Sequence, residues 1–173
     1  EHLGRMFRYF IWDGIRITIN GKPVPALDPL FLRGDAAGAT AFQEPTKLEG
    51  YANPAKPTGA VGTVTITFTE LPVLEWQHHS NEDKRRLGIS NGAGVSIVRG
   101  GREVDFGWYF MGGKRRENYD DWWRCEVQFD PVLDEAFGIT HTKQQVRPAD
   151  HLLEALQPVP RLRFSKIHLR EVV

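Results

Sequence analysis

The stretch best suited to chemistry is Gly138-Ile139-Thr140-His141-Thr142-Lys143-Gln144-Gln145, where one lysine stands in a short polar loop directly after an apolar segment. An ammonium on a flexible stem is a compact charge that reaches a terminal phosphate held by a neighbouring domain. Carried on a loop, such a charge would move with its own domain, so a bound triphosphate would hold two domains together and hydrolysis would release them. The bland counterpart is a solvated lysine in a polar loop.

Other reactive side chains are less well organised. His78-His79, together with His141 or His151, offer imidazoles to a metal, but none forms a pair at i, i+4 with an acid between, so surface histidines are expected. Ser, His and Asp are present without a Gly-x-Ser-x-Gly elbow to frame a nucleophile, which argues against a hydrolase triad. Asp120, Asp121 and Glu126 are expected to be solvated or paired with Arg115, Arg116 or Arg124. Lys84-Arg85-Arg86, Lys114-Arg115-Arg116 and the tail from Arg161 to Arg170 are basic. Trp108, Trp122 and Trp123 have flat faces on which bases can stack, although the ordinary use of such rings is to anchor a core or a domain interface.

These residues need elements to position them. Leu3, Met6, Phe7, Phe10 and Ile11 recur at helical spacing and predict a helix over 3–12, with Arg5, Arg8 and Tyr9 off the stripe and Gly14 ending it. Ile15, Ile17 and Ile19 then alternate as a strand, and Asn20-Gly21 predicts a hairpin turn because both positions accept positive φ. Residues 33–60 lack periodicity and read as a long loop with one short strand near 46–51. Val64, Ile66 and Phe68 alternate with Thr65, Thr67 and Thr69 in a clear strand over 61–70. Residues 75–87 read as a polar surface loop with a short helix, and 94–108 as a hairpin turning at Gly100-Gly101.

Trp123, Cys125, Val127 and Phe129 alternate with Arg124, Glu126 and Gln128 as another strand. Pro131 opens a short helix with Leu133, Ala136 and Phe137 as its buried side, and the Lys143 loop follows. A last helix is expected from Pro148 through Leu156, stopped by Pro158 and Pro160. The sum is an α+β fold: about five mostly antiparallel strands with two or three helices on one face.

The totals set limits. With 173 residues, 40% apolar and 25% charged, a folded core is expected. The 22 Lys plus Arg balance the 22 Asp plus Glu, so net charge does not support bulk capture by nucleic acid or an acidic membrane. Cys125 is the only cysteine, which rules out an internal disulfide and a cysteine cage for zinc, and fits a reducing, cytoplasmic compartment. No apolar run reaches the roughly 18–20 residues of a membrane helix. A chain starting at Glu1 is expected to be a piece of something longer.

Several stretches resemble, in order, the second or transducer domain of GHKL-type ATPases, the superfamily of gyrase, MutL, MORC proteins and heat-shock chaperones. Thr140-His141-Thr142-Lys143-Gln144 is similar to the Thr-His-Asn-Lys-Gln stretch of MORC-type members, with Thr142 where that pattern has Asn. Asn91 through Val104 resembles the family's Asn-x-Gly, strand, Arg-Asn-x-Arg hairpin, with Gly100 in place of the usual Asn. Trp122 through Phe129, followed by Leu133 through Ile139, looks like the strand and helix before the lysine loop in prokaryotic members. Phe7 to Leu30 resembles the junction leaving the ATP-binding domain.

The resemblance implies a ribosomal-protein-type left-handed β-α-β fold. It implies a junction helix at 1–14, a transducer-like domain at 15–157 and a tail at 158–173. It also implies contact of Lys143 with the γ-phosphate, and Gln144 positioning that loop. The acid-and-asparagine helix, the Asp-x-Gly-x-Gly loop and the Gly-rich lid of the family's ATP site are missing. The nearest imitation, Asp35-Ala36-Ala37-Gly38-Ala39, reads as a plain turn. No cofactor is therefore expected in this chain alone; ATP and Mg²⁺ would belong to the parent protein, whose own N-terminal ATP-binding domain is the implied partner. A nucleic-acid-binding α+β module and a dimerisation domain are the competing readings.

Overall fold

Val64, Ile66 and Phe68 do face one way, and the strand that carries them lies inside the main sheet. The computed structural model describes residues 2–34, 37–41, 46–51, 61–90, 92–111, 113 and 115–139. The expected helix at 148–156 and the tail beyond it lie outside the described residues, as do Lys143 and Gln144.

In chain order the helices are α1 (His2–Met6), α2 (Arg8–Trp12), α3 (Val73–Trp76) and α4 (Asn81–Arg86). The strands are β1 (Thr18–Ile19), β2 (Lys22–Pro23), β3 (Thr40–Ala41), β4 (Thr46–Tyr51), β5 (Gly62–Glu70), β6 (Val95–Arg99), β7 (Arg102–Gly107) and β8 (Trp123–Phe129). β1 and β2 form a separate hairpin through Asn20 and Gly21, both at positive φ as their residue types allow. The main sheet has the order β3-β5-β8-β6-β7, with β4 also paired to β5. The expected α+β class stands, and the sheet is mostly antiparallel; the one parallel ladder described runs between β6 and β8.

The two faces of this sheet are unlike. One carries Val64, Ile66 and Phe68 of β5, Val95 and Ile97 of β6, and Trp123, Cys125, Val127 and Phe129 of β8, all buried. A single 3₁₀ turn at Pro131–Leu133 and the turns after it close this face with Leu133, Ala136 and Phe137. The expected buried side of that element is therefore right, although it is shorter than the helix the sequence suggested. The other face is polar and carries Ser96, Arg124 and Glu126, and α1 and α2 pack there beside β7. A smaller cluster, Phe31 with Leu71, Ile89 and Trp76, extends the core past the end of β5.

The helix over 3–12 differs from its sequence reading. It divides at Phe7 into α1 and α2, although Phe7 N–H still reaches the Leu3 carbonyl and Ile11 N–H the Phe7 carbonyl. Its apolar stripe is only partly covered, and besides Gly4 the buried residue is Arg8, placed off the stripe by periodicity. The reason lies in the sheet: the surface beneath the helix carries carboxylates, so a cation fits there better than a leucine.

Candidate functional site

The segment that leads into the lysine loop is built on β8. Phe129, its last residue, stacks on Phe137 with ring centroids 3.7 Å apart. Asp130 accepts from the Thr63 N–H at 2.8 Å, tying the strand end to β5. The turns then finish in a glycine cap. Gly138 has φ +65°, its N–H reaches the Glu135 carbonyl, and Ile139 N–H reaches the Asp134 carbonyl at 2.9 Å. This pair of bonds is the Schellman pattern, which needs a residue tolerant of the left-handed region at Gly138. Arg99, at the end of β6, clamps the same turn: its Nε lies 2.5 Å from Asp134 Oδ1 and its Nη2 2.7 Å from Oδ2. The hydrogen bonds to Asp134 hold the Arg99 guanidinium above the ordinary arginine value, against partial burial.

A second constellation joins α1 and α2 to the polar face. Arg8 Nη1 donates to Glu103 Oε2 at 3.1 Å and Nη2 to Ser96 Oγ at 3.0 Å, and Nη2 also pairs with Glu126. Tyr9 donates its hydroxyl to Glu126. Arg5 Nε lies 2.7 Å from Glu103, and Ser96 Oγ donates to Glu103 at 2.5 Å. Two cations thus meet two carboxylates, and the group is locally neutral. Burial pulls the Arg8 guanidinium down; the charge and hydrogen bond of Glu126, then the charge of Glu103, outweigh it and leave it above its ordinary value. Burial, followed by the Glu126 charge, pushes the Tyr9 phenol up.

Glu103 reaches this group because of an irregularity in the β6–β7 ladder. Ile97 pairs with Asp105 but Val98 pairs with Glu103, so Val104 is an extra residue in β7. Regular alternation from Asp105 would aim Glu103 at the apolar face. The bulge turns it onto the face of Ser96, where Arg8 lies.

The third constellation is Arg124, 2% exposed, on the same face of β8 as Glu126. Its Nη1 donates to the carbonyls of Asp121 and Trp123 at 2.8 and 2.7 Å, and its Nη2 to those of Gly88 and Ile89 at 2.8 and 2.9 Å. Burial lowers its pKa to about 9, against the pull of Asp121. Gly92 closes over it: a Cβ there would stand 2.4 Å from Nη2 and 2.3 Å from the Gly88 carbonyl oxygen.

Within the stretches quoted for the resemblance, Arg99 and Asp134 are brought together, and Arg102 lies over the Phe7 ring at 5.4 Å. Arg116 pairs with Asp121 at 2.5 Å, as expected. Asp120 instead is buried and accepts from the Trp123 indole at 2.9 Å. Glu126 is buried with Arg8 and not solvated. Trp123 is in the core, 5.6 Å from Trp108, and Trp122 packs on the second cluster under the Lys84 ammonium. These rings are used internally, as the core-anchor reading expects. His78 and His79 are exposed. Lys143, Gln144, Asn91, His141 and His151 lie outside the described residues. No group of three or more His, Cys, Asp or Glu side chains suited to a metal forms among the described residues.

Sequence reasoning missed the Arg8 group and the Arg124 cradle. A signal for both was present in β8, where Arg124 and Glu126 occupy a strand flanked by two other buried strands and must find partners there. A shallow cavity of about 500 Å³ between α1 and the β1–β2 hairpin is lined by Leu3, Ile19, Val24 and Pro25 among others and takes in none of these constellations. Compared with known proteins, the chain matches no family model, no curated protein and no solved structure.

Proposed function

We propose that this chain is the transducer-like second domain of a GHKL-type ATPase, inactive alone, which completes the ATP site of its parent protein with Lys143. The observation that carries this reading is the fixed platform from Phe129 to Ile139. β8, the Phe129–Phe137 stack, the Arg99–Asp134 fork and the Gly138 cap hold the chain rigidly up to the residue before Thr140-His141-Thr142-Lys143-Gln144. A charge that must meet a phosphate bound elsewhere needs such a base. The Arg8 group supports the same reading at the other end of the chain, because it couples the helix expected as the junction to the sheet that bears the platform.

In this reading Lys143 contacts the terminal phosphate and Gln144 helps to place the loop. ATP and Mg²⁺ are held by the parent's own N-terminal ATP-binding domain, in a cytoplasmic protein that can pair with a second copy. The bound triphosphate supplies the charge to be gripped; this chain supplies the grip and the lever. Loss of the terminal phosphate removes the contact, and the sheet and helix move as one body because their joint is buried and charge-matched.

The test is ATP turnover by the full-length parent protein against its Lys143→Ala form, with this 173-residue chain as control. The expected outcome is turnover by the parent, a loss of at least about tenfold in the variant and none from the chain alone. Turnover indifferent to Lys143 would end the proposal, and would turn attention to nucleic-acid binding, whose affinity falls steeply as salt rises.

A further inference from the structure

The lysine reading says nothing about what aims the loop, and the structure offers a specific answer one layer back. Asp134 is used twice. Both of its carboxylate oxygens are held along one edge of the Arg99 guanidinium, by Nε and Nη2, and its backbone carbonyl accepts the Ile139 N–H that closes the Schellman cap. The direction in which the chain leaves Ile139 is thus set by a peptide group whose own residue is gripped from β6. Arg99 is well placed to grip. It ends a strand that is paired on both sides, with β7 and β8, and the neighbouring Gly100 donates its N–H to the Phe129 carbonyl at 3.1 Å. Gly100 also fits closely against Pro131, where a Cβ would come within 3.1 Å of the proline ring. The hairpin tip therefore holds the turn at both Pro131 and Asp134.

We propose that Arg99 and Asp134 are positioning residues: their two-pronged contact fixes the exit of the chain at Ile139 and, through it, the placement of the loop that carries Lys143. The second half of this statement rests on the function proposed above; the first half does not. A planar guanidinium donating two parallel bonds constrains both distance and orientation, which a single ammonium cannot do. The pair is about one-quarter exposed on each side, so it is less a source of stability than a device for direction.

The conservative change Arg99→Lys keeps the charge and removes the fork. Two measurements, on the 173-residue chain and on the parent protein, decide the matter. In amide hydrogen exchange, Arg99→Lys is expected to speed exchange at Gly138 and Ile139 by about tenfold, leaving Ile66 and Val127 in the central strands unchanged. The exchanged pair Arg99→Asp with Asp134→Arg is expected to restore much of the protection. In ATP turnover, Arg99→Lys is expected to lower kcat by roughly tenfold with KM for ATP nearly constant, since the loop is misaimed and the nucleotide pocket untouched.

Unchanged protection at Ile139, or a loss spread equally over the central strands, overturns the proposal. Loosening at Ile139 with full turnover, in a protein that does depend on Lys143, overturns the positioning role and leaves the lysine reading standing. If Lys143→Ala itself has no effect, the lysine reading falls, and the exchange result at Ile139 still decides whether Arg99 sets the exit.

Discussion

Arg8 and Arg124 lie against the same polar face of the sheet, both withdrawn from water, and their charges are met in opposite ways. Arg8 meets Glu126 and Glu103, with Ser96 between them. Its charge is cancelled where it lies, and its guanidinium stands above the ordinary value in spite of burial. Arg124 meets four backbone carbonyls, from Gly88, Ile89, Asp121 and Trp123. The described side chains nearest it in charge are Asp121, which turns to Arg116, and the like-charged Arg5 and Arg116, and its pKa falls to about 9. The first arrangement joins two elements through opposite charges, which fixes which helix residue faces which strand. The second gathers backbone carbonyls around one strand residue, which anchors Gly88, Ile89, Asp121 and Trp123 whatever their side chains. One is a lock with a key; the other is a bracket.

The largest effect is expected at Glu126. Glu126→Ala leaves Arg8 buried without its closest partner, and a loss of about 3–5 kcal/mol is expected in the denaturant midpoint. Removing both charges, as in Arg8→Met with Glu126→Leu, is expected to regain most of that stability. A double variant as weak as the single one would show that shape, and not charge, holds the helix to the sheet.

A smaller effect is expected at the bracket. Arg124→Met strips donors from four carbonyls, two of them in fully buried bonds, with a loss of about 2–4 kcal/mol, and Arg124→Lys is expected to recover part of it because an ammonium still donates. Gly92→Ala is expected to lose about 1–3 kcal/mol by forcing Arg124 and the Gly88 carbonyl apart. Equal losses from Arg124→Met and from Arg124→Lys in thermal melts would mean that the fork of the guanidinium matters more than its charge.

The smallest effect, and the sharpest contrast, lies in alkaline solution. Tyr9→Phe is expected to cost about 1–2 kcal/mol at neutral pH by removing the hydrogen bond to Glu126. The folded-state pKa of Tyr9 is raised, so the unfolded chain releases that proton first, and its stabilisation is whole below pH 10 and lost as pH rises beyond it. Arg124 has the opposite sign. Its folded pKa is lowered to about 9 from 12.5, so across that window the unfolded chain binds more protons and stability rises with pH. Denaturation series between pH 9 and 11 should therefore show Tyr9→Phe with a more favourable slope than the parent chain and Arg124→Met with a less favourable one. Slopes that coincide would mean that neither group titrates as its surroundings require.

Much of the frame was readable residue by residue. Alternation found β5, β8 and the β6–β7 hairpin, because strands buried on one face repeat every two residues whatever their neighbours are. Asn20-Gly21 found its own turn. The platform before the lysine loop was also legible: Pro131 starts it, and Leu133, Ala136 and Phe137 are its buried side. The stripe on residues 3–12 misled, because periodicity ranks residues by apolarity and has no term for a carboxylate waiting on the partner surface.

Local chemistry and period carried the α+β class, the main strands and their turns. Tertiary structure alone decided the rest. The parallel pairing of β6 with β8 places Ser96 beside Glu126, and the bulge at Val104 turns Glu103 to the same side. Only then is there a site for Arg8, 118 residues from Glu126 along the chain. The Arg99–Asp134 fork spans 35 residues in the same manner. Such pairs are set by register and twist between distant segments, and no short window of sequence carries that information.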